Sequence, residues 1–136
     1  MNEAEAFFDT NVVLYLLSGD VAKADRAEEL LAIGGVISVQ VLNEFASVAV
    51  RKLRMTWPEI RDVLAQVWAV CPVVGVSLET HDRATQVAER YGLSLYDALI
   101  VAAALIAGCA TLYSEDMQDG QVIERQLTIC NPFTPQ

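Results

Sequence analysis

The sequence predicts an α/β fold: a three-layer α/β/α sandwich built on a mostly parallel five-stranded sheet. Three observations predict it. Short β-branched or aromatic runs alternate with longer stretches of helical periodicity, and most connections between successive strand candidates can hold a crossover helix. One helix candidate is apolar nearly all round, as an element buried in a covered sheet structure must be. The 136 residues suit one domain, long enough to bury about two-thirds of the surface its unfolded form exposes.

Ala6-Phe7-Phe8 is the first strand, an apolar run that stops at Asp9 and turns at once into a helix through Asn11 to Leu17. Ser18-Gly19-Asp20 breaks the chain, and Asp20 caps a helix whose apolar positions are Val21, Ala24, Ala27, Leu30 and Leu31. Gly34-Gly35 ends it, and Val36 to Val39 is the second strand. The next helix runs from Val39 to about Leu53, with Val41, Leu42, Phe45, Val48, Ala49 and Leu53 as its buried face and Glu44 beside that stripe. Thr56, Pro58 and Glu59 form a capping-box start for a helix to about Val70. Pro72 to Val76 is the third strand, and Glu79 to Tyr91 is a helix closed by Gly92. Ser94 to Asp97 opens the nearly all-apolar helix from Leu95 to about Ala107. Ala110 to Tyr113 is the fourth strand, Ser114 to Gly120 a polar turn, and Leu127 to Cys130 the fifth strand. No repeat, linker or low-complexity segment interrupts this order.

Composition narrows the chemistry. Cys71, Cys109 and Cys130 are odd in number, far apart and in apolar surroundings, which predicts reduced thiols in a cytoplasmic protein. His81 is the only histidine, so zinc chemistry and a Ser-His-Asp triad have no support. Met1 to Glu5 is acidic, which argues against a secretory signal, and the uncharged run from Ala98 to Ser114 is too short for a membrane span. With 18 acids against 9 bases, the net charge of −9 repels polyanions at long range. Arg51, Lys52, Arg54 and Arg61, against the single acid Glu59, are the local exception. They are either a solvated helix end or an RNA-backbone contact.

Two acids, Asp9 and Asp116, fall at the carboxyl ends of predicted strands, and Glu44 and Asp97 near the starts of helices. Parallel strands bring their carboxyl ends to one edge, where ligands of open α/β sheets bind. Carboxylates packed there need either raised pKa values or a cation, and a site of oxygen donors alone favours Mg²⁺ or Mn²⁺. Each acid also has a plain structural role open to it. Asp9 can cap the first helix, Glu44 can be a salt-bridged edge residue, Asp97 can complete a capping box with Ser94, and Asp116 and Asp119 can be turn residues before Gly120.

Taken together, Phe8-Asp9-Thr10-Asn11-Val12, Asn43-Glu44-Phe45, Leu95-Tyr96-Asp97-Ala98 and Tyr113 to Gly120 resemble the four acidic motifs of PIN-domain ribonucleases, and in particular the VapC-type toxins of bacterial toxin-antitoxin pairs. The resemblance runs over almost the whole chain in the family's order. It implies that Asp9, Glu44, Asp97 and Asp116 are the catalytic acids and hold Mg²⁺ (or Mn²⁺), with Asn11, Ser114 and Asp119 as supporting polar residues. It implies metal-assisted hydrolysis of RNA, a cognate antitoxin bound in a groove, and a homodimer. Met55, Trp57 and Trp68 are then candidate anchors for the antitoxin, or else ordinary core residues. Two rivals remain. One is aspartyl-phosphate chemistry, for which Asn11 stands where a second Asp is needed and no Lys follows Lys52. The other is a PIN-like scaffold whose acids bind a partner and do no chemistry.

Overall fold

The computed structural model describes residues 5–134; Met1 to Ala4, most of the acidic stretch that argued against a secretory signal, lie outside the described residues. In chain order the elements are β1 (Ala6–Phe8), α1 (Thr10–Leu14), a 3-10 turn (Tyr15–Leu17), α2 (Val21–Ile33), β2 (Ile37–Ser38), α3 (Val39–Arg51), α4 (Trp57–Val70), β3 (Val73–Val74), α5 (Leu78–Tyr91), α6 (Leu95–Ile106), β4 (Thr111–Tyr113), β5 (Val122–Ile123) and β6 (Leu127–Cys130).

β1, β4 and β6 lie side by side and parallel, and β5 edges β6 in the antiparallel sense. β2 and β3 form a separate parallel pair. A parallel bridge between Phe7 and Val36 joins the two sets: Phe8 N donates to Val36 O at 3.0 Å and Val36 N to Ala6 O at 2.8 Å. Across it the parallel strands run β3-β2-β1-β4-β6, which are the five strands expected from the sequence.

Side chains explain the sheet's centre. Phe7 and Phe8 of β1, Leu112 of β4, and Leu127 and Ile129 of β6 expose no surface, each worth roughly 1.5–3 kcal/mol of burial. α6 supplies eight consecutive buried residues, Ala98 to Leu105, and contacts α5, α3 and β2. Its small alanines let the neighbouring backbones approach.

The outlying elements differ from the sequence reading in four places. The first helix is a five-residue α1 that tightens into a 3-10 turn. Val21 occupies the first position of α2, points away from the core and is 71% exposed. α3 stops at Arg51, and Leu53 lies beyond its cap in solvent because Arg54 takes a left-handed φ of 55° and turns the chain. β3 pairs over two residues only, as the last strand on its side of the sheet. Among the described residues no helix is long and apolar enough to cross a membrane.

The Phe7–Val36 bridge depends on the residue before it. A Cβ on Gly35 would stand 2.6 Å from two ring carbons of Phe8 and 3.0 Å from Ala6 O. Gly35→Ala is therefore expected to destabilise the fold by about 1–3 kcal/mol through overpacking. Urea melts check this as a lower midpoint with an unchanged slope.

Candidate active site

Two of the acids are placed by neighbouring strands. Asp9 directly follows β1, its N–H donates to Tyr113 O at 3.0 Å, and its extended backbone (φ −73°, ψ 164°) makes it the cap of α1. Ser114 directly follows β4 and donates its N–H to Cys130 O at 3.0 Å. The register of β1 against β4 sets Phe8 opposite Tyr113, so Asp9 and Ser114 emerge side by side.

Hydrogen bonds then fix these groups to one another. Ser114 Oγ donates to Asp9 Oδ2 at 2.7 Å and accepts from the N–H groups of Asp116 and Met117, both at 3.2 Å. Asp9 Oδ1 accepts from Thr10 N at 2.7 Å. Asn11 Nδ2 donates to Asp116 Oδ2 at 3.1 Å and reaches Asp9 Oδ2 at 3.5 Å, while its Oδ1 accepts from Glu115 N at 3.2 Å. Asn11 and Ser114 thus tie Asp9 to the loop bearing Asp116. Asp119 lies elsewhere: its carboxylate accepts from Asn131 N at 2.8 Å and fastens the turn beyond β6.

Glu44 enters from α3. Its Oε1 accepts from Thr10 Oγ1 at 2.6 Å and its Oε2 from Gln40 Nε2 at 3.0 Å. Neither partner was singled out from the sequence. Gln40 stands one turn before Glu44 on the same helix face, a spacing that could have marked it. Thr10 had no signal beyond lying next to Asp9.

Asp97 enters from the first turn of α6. Its backbone N–H donates to the Ser94 hydroxyl at 3.1 Å. Thr56 with Glu59 and Ser77 with Thr80 make the reciprocal bond of a full capping box. Asp97 does not, and its carboxylate is left to the cleft. Ser94 caps the helix through that backbone N–H, and its hydroxyl also opposes the rise in the Asp97 carboxyl.

Asp9, Glu44, Asp97 and Asp116 line one cleft of about 310 Å³, together with Thr10, Asn11 and Arg51. Burial pushes Asp9 up to about 7 from an ordinary 3.8, against the opposing hydrogen bonds from Ser114 and Thr10, and the charges of Asp97 and Glu44 add to the rise. Asp97 is also raised, first by partial burial and then by Glu44 and Asp116. Arg51, whose Nε donates to Ser47 Oγ at 3.2 Å, is the only base of the four-residue cluster at the cleft; Lys52, Arg54 and Arg61 are exposed away from it.

The donors are all hard oxygens, the kind that suits Mg²⁺ or Mn²⁺, and the crowding that raises Asp9 and Asp97 is the kind a cation relieves. The spacing is open. Among the described residues no three His, Cys, Asp or Glu side chains are gathered within reach of one ion. Thr10 and Gln40 hold Glu44, and Asn11 holds Asp116. In kind, the donor set fits a divalent ion.

Trp57 and Trp68 on α4 are 57% and 51% exposed, so they are surface residues, whereas Met55 packs on the core.

A mostly parallel α/β sheet with four acids converging at its carboxyl edge defines an acidic-cleft α/β domain. The PIN domain family matches residues 6–118, a span that contains all four acids, and the chain belongs to that family. Solved structures with the same fold include a toxin-antitoxin complex from Klebsiella pneumoniae (22% identity, TM-score 0.69, covering 93% of this chain and 97% of that one). VapC20 from Mycobacterium tuberculosis, a toxin that cleaves the sarcin-ricin loop, is similar at 23% identity and a TM-score of 0.67, over 82% of this chain and 89% of its own. VapBC2 from Rickettsia felis, bound to a promoter DNA fragment, matches at 18% identity and a TM-score of 0.65, over 93% of this chain and 98% of that one. No curated protein sequence matches significantly.

Proposed function

We propose that this protein is a single-domain, cytoplasmic endoribonuclease that hydrolyses RNA phosphodiesters with Mg²⁺ or Mn²⁺, and that it is the toxin of a bacterial toxin-antitoxin pair. The observation that carries this reading is the convergence of Asp9, Glu44, Asp97 and Asp116 on one cleft in a PIN-family chain. Those four acids would hold the ion, which when bound supplies a water of lowered pKa and stabilises charge on the leaving oxygen.

The chain's own residues orient and exclude. Ser114 and the Thr10 N–H hold Asp9 in one orientation, Asn11 sets it against Asp116, and Thr10 with Gln40 holds Glu44. Arg51 offers a planar guanidinium to a phosphate entering the cleft, with Lys52, Arg54 and Arg61 extending positive charge outward along the RNA. The toxin role rests on the similarity to toxin-antitoxin structures and implies a cognate antitoxin and a homodimer. Trp57 and Trp68, exposed on α4, are anchors suited to a partner helix.

The open spacing of the carboxylates favours one rival, a PIN-like scaffold that does no chemistry. Incubating the purified protein with structured RNA separates them. Cleavage is expected with Mg²⁺ or Mn²⁺ and none in excess chelator. Undiminished cleavage in chelator would sink the metal mechanism, and no cleavage under either condition would favour the scaffold.

A further inference from the structure

α3 turns one continuous face toward the site: Gln40, Asn43, Glu44, Ser47, Val48 and Arg51 recur at three- and four-residue spacing. Glu44 and Ser47 are walls of two cavities. The acidic cleft continues from them along the helix to Val48 and Arg51. The second cavity, about 360 Å³, continues the other way to Gln40 and Asn43 and has Tyr96 as its remaining wall.

The second cavity is chemically unlike the first. Its only charged group is Glu44, already engaged by Gln40. Tyr96 is 63% exposed and immediately precedes Asp97, so a large aromatic face stands in solvent at the rim of the acidic cleft. Two carboxamides line it: Asn43 carries both donors and an acceptor, and Gln40, whose Nε2 donates one N–H to Glu44, keeps its carbonyl oxygen and a second N–H. A flat aromatic surface beside paired donors and acceptors is the chemistry that recognises a nucleobase, whose face stacks and whose edge carries the same groups.

We infer that the cavity between α3 and Tyr96 is a nucleobase subsite, which takes the base of a nucleotide adjacent to the scissile phosphate. The inference rests on the nuclease reading above and adds to it the form of the substrate. The ring of Tyr96 stacks on the base, and Asn43 and Gln40 read its edge. Gln40 and Arg51 are about 16 Å apart along the helix axis, with Glu44 between them. A strand laid along this face puts a base at one end, its phosphate at the acids and a further phosphate at Arg51. A base inside a duplex has its faces stacked and its pairing edge occupied, so the nucleotide bound here is unpaired.

The test uses a fluorescently labelled single-stranded RNA and the same RNA made abasic at one position at a time. Wild type, Tyr96→Ala and Tyr96→Phe are compared by anisotropy in chelator, where binding is read without cleavage, and by steady-state cleavage in Mg²⁺. Tyr96→Ala is expected to weaken binding and raise KM by roughly 10-fold, with a smaller change in kcat, and Tyr96→Phe to keep both near wild type. One abasic position should cost wild type a similar factor and cost Tyr96→Ala nothing further. The exposed position of Tyr96 leaves the fold intact, which circular dichroism checks. If wild type binds and cuts RNA but Tyr96→Ala matches it, or if every abasic position costs both proteins alike, the subsite is wrong and the nuclease reading stands. If wild type neither binds nor cuts any RNA, both fall.

Discussion

Asp9→Asn lowers RNA cleavage by about 10³-fold or more, equivalent to about 4 kcal/mol of barrier, and removes most of the pH dependence of the ion-free protein's stability. The first effect follows from position, because Asp9 lines the cleft and the strand register fixes it beside Ser114. The second follows from burial. Asp9 is 4% exposed and its carboxyl is raised to about 7 from an ordinary 3.8. Between those two values the folded protein keeps a proton that the unfolded chain has released. Stability therefore falls as pH rises across this window, by up to about 4 kcal/mol, and the loss is complete above it. An amide has no such proton. It also sets an N–H against the Ser114 and Asn11 donors, which costs about 1–3 kcal/mol at every pH. The variant thus starts less stable than wild type at low pH and gains on it as pH rises. Urea melts in chelator at several pH values between 4 and 8 measure this. Curves that run parallel would show that the raised carboxyl is not Asp9.

Asp97→Asn is expected to leave ion-free stability equal or higher, to lose most of the stabilisation that Mg²⁺ gives wild type, and to be nearly inactive. A carboxylate in the first turn of α6 gains about 0.3–1 kcal/mol from the helix dipole. Its raised pKa says that burial and the charges of Glu44 and Asp116 outweigh that gain. The cap survives the substitution, since the backbone N–H that donates to Ser94 is kept. At about 100 times its Kd, Mg²⁺ should stabilise wild type by about 2.7 kcal/mol and the variant by much less. Activity should fall by more than the roughly 10–100-fold that losing an outer partner of a metal site costs. A variant destabilised by about 1 kcal/mol without metal, yet cleaving at close to the wild-type rate, would make Asp97 a cap and remove it from the site.

Much of the architecture was legible because local signals and tertiary demands agree. The five parallel strands fall on the five expected apolar runs, and the caps at Asp20, Thr56 and Ser94 sit where the sequence put them. β5 was not legible. Its hairpin turns through Glu124 and Arg125 at φ of 52° and 56°, without the glycine or asparagine that usually marks such a turn. Distant groups support it instead: Tyr91 Oη donates to Glu124 Oε2 at 2.9 Å and accepts from Glu124 N at 3.0 Å. The four acids could be read because each stands at a predicted edge of an element, but Asp116 and Asp119 share one polar run and only the folded turn separates their directions. The basic segment divides in a similar way. Its four bases are close in sequence, yet Arg51 alone lies two helical turns from Glu44 on the same face, and the chain turns away after it.

The pairing of β1 with β4 also dictates when the cleft comes into being during translation. Asp9 leaves the ribosome well ahead of the serine that orients it, which lies 105 residues later. β4 must seat beside β1, with β6 on its other side, before Asn11 and Ser114 have anything to bridge. A nascent or truncated chain that ends before β4 carries its first acid but no cleft. Whatever chemistry the cleft performs, topology defers it until β4 and β6 have been made, so a product stalled before β4 is inert without any inhibitor.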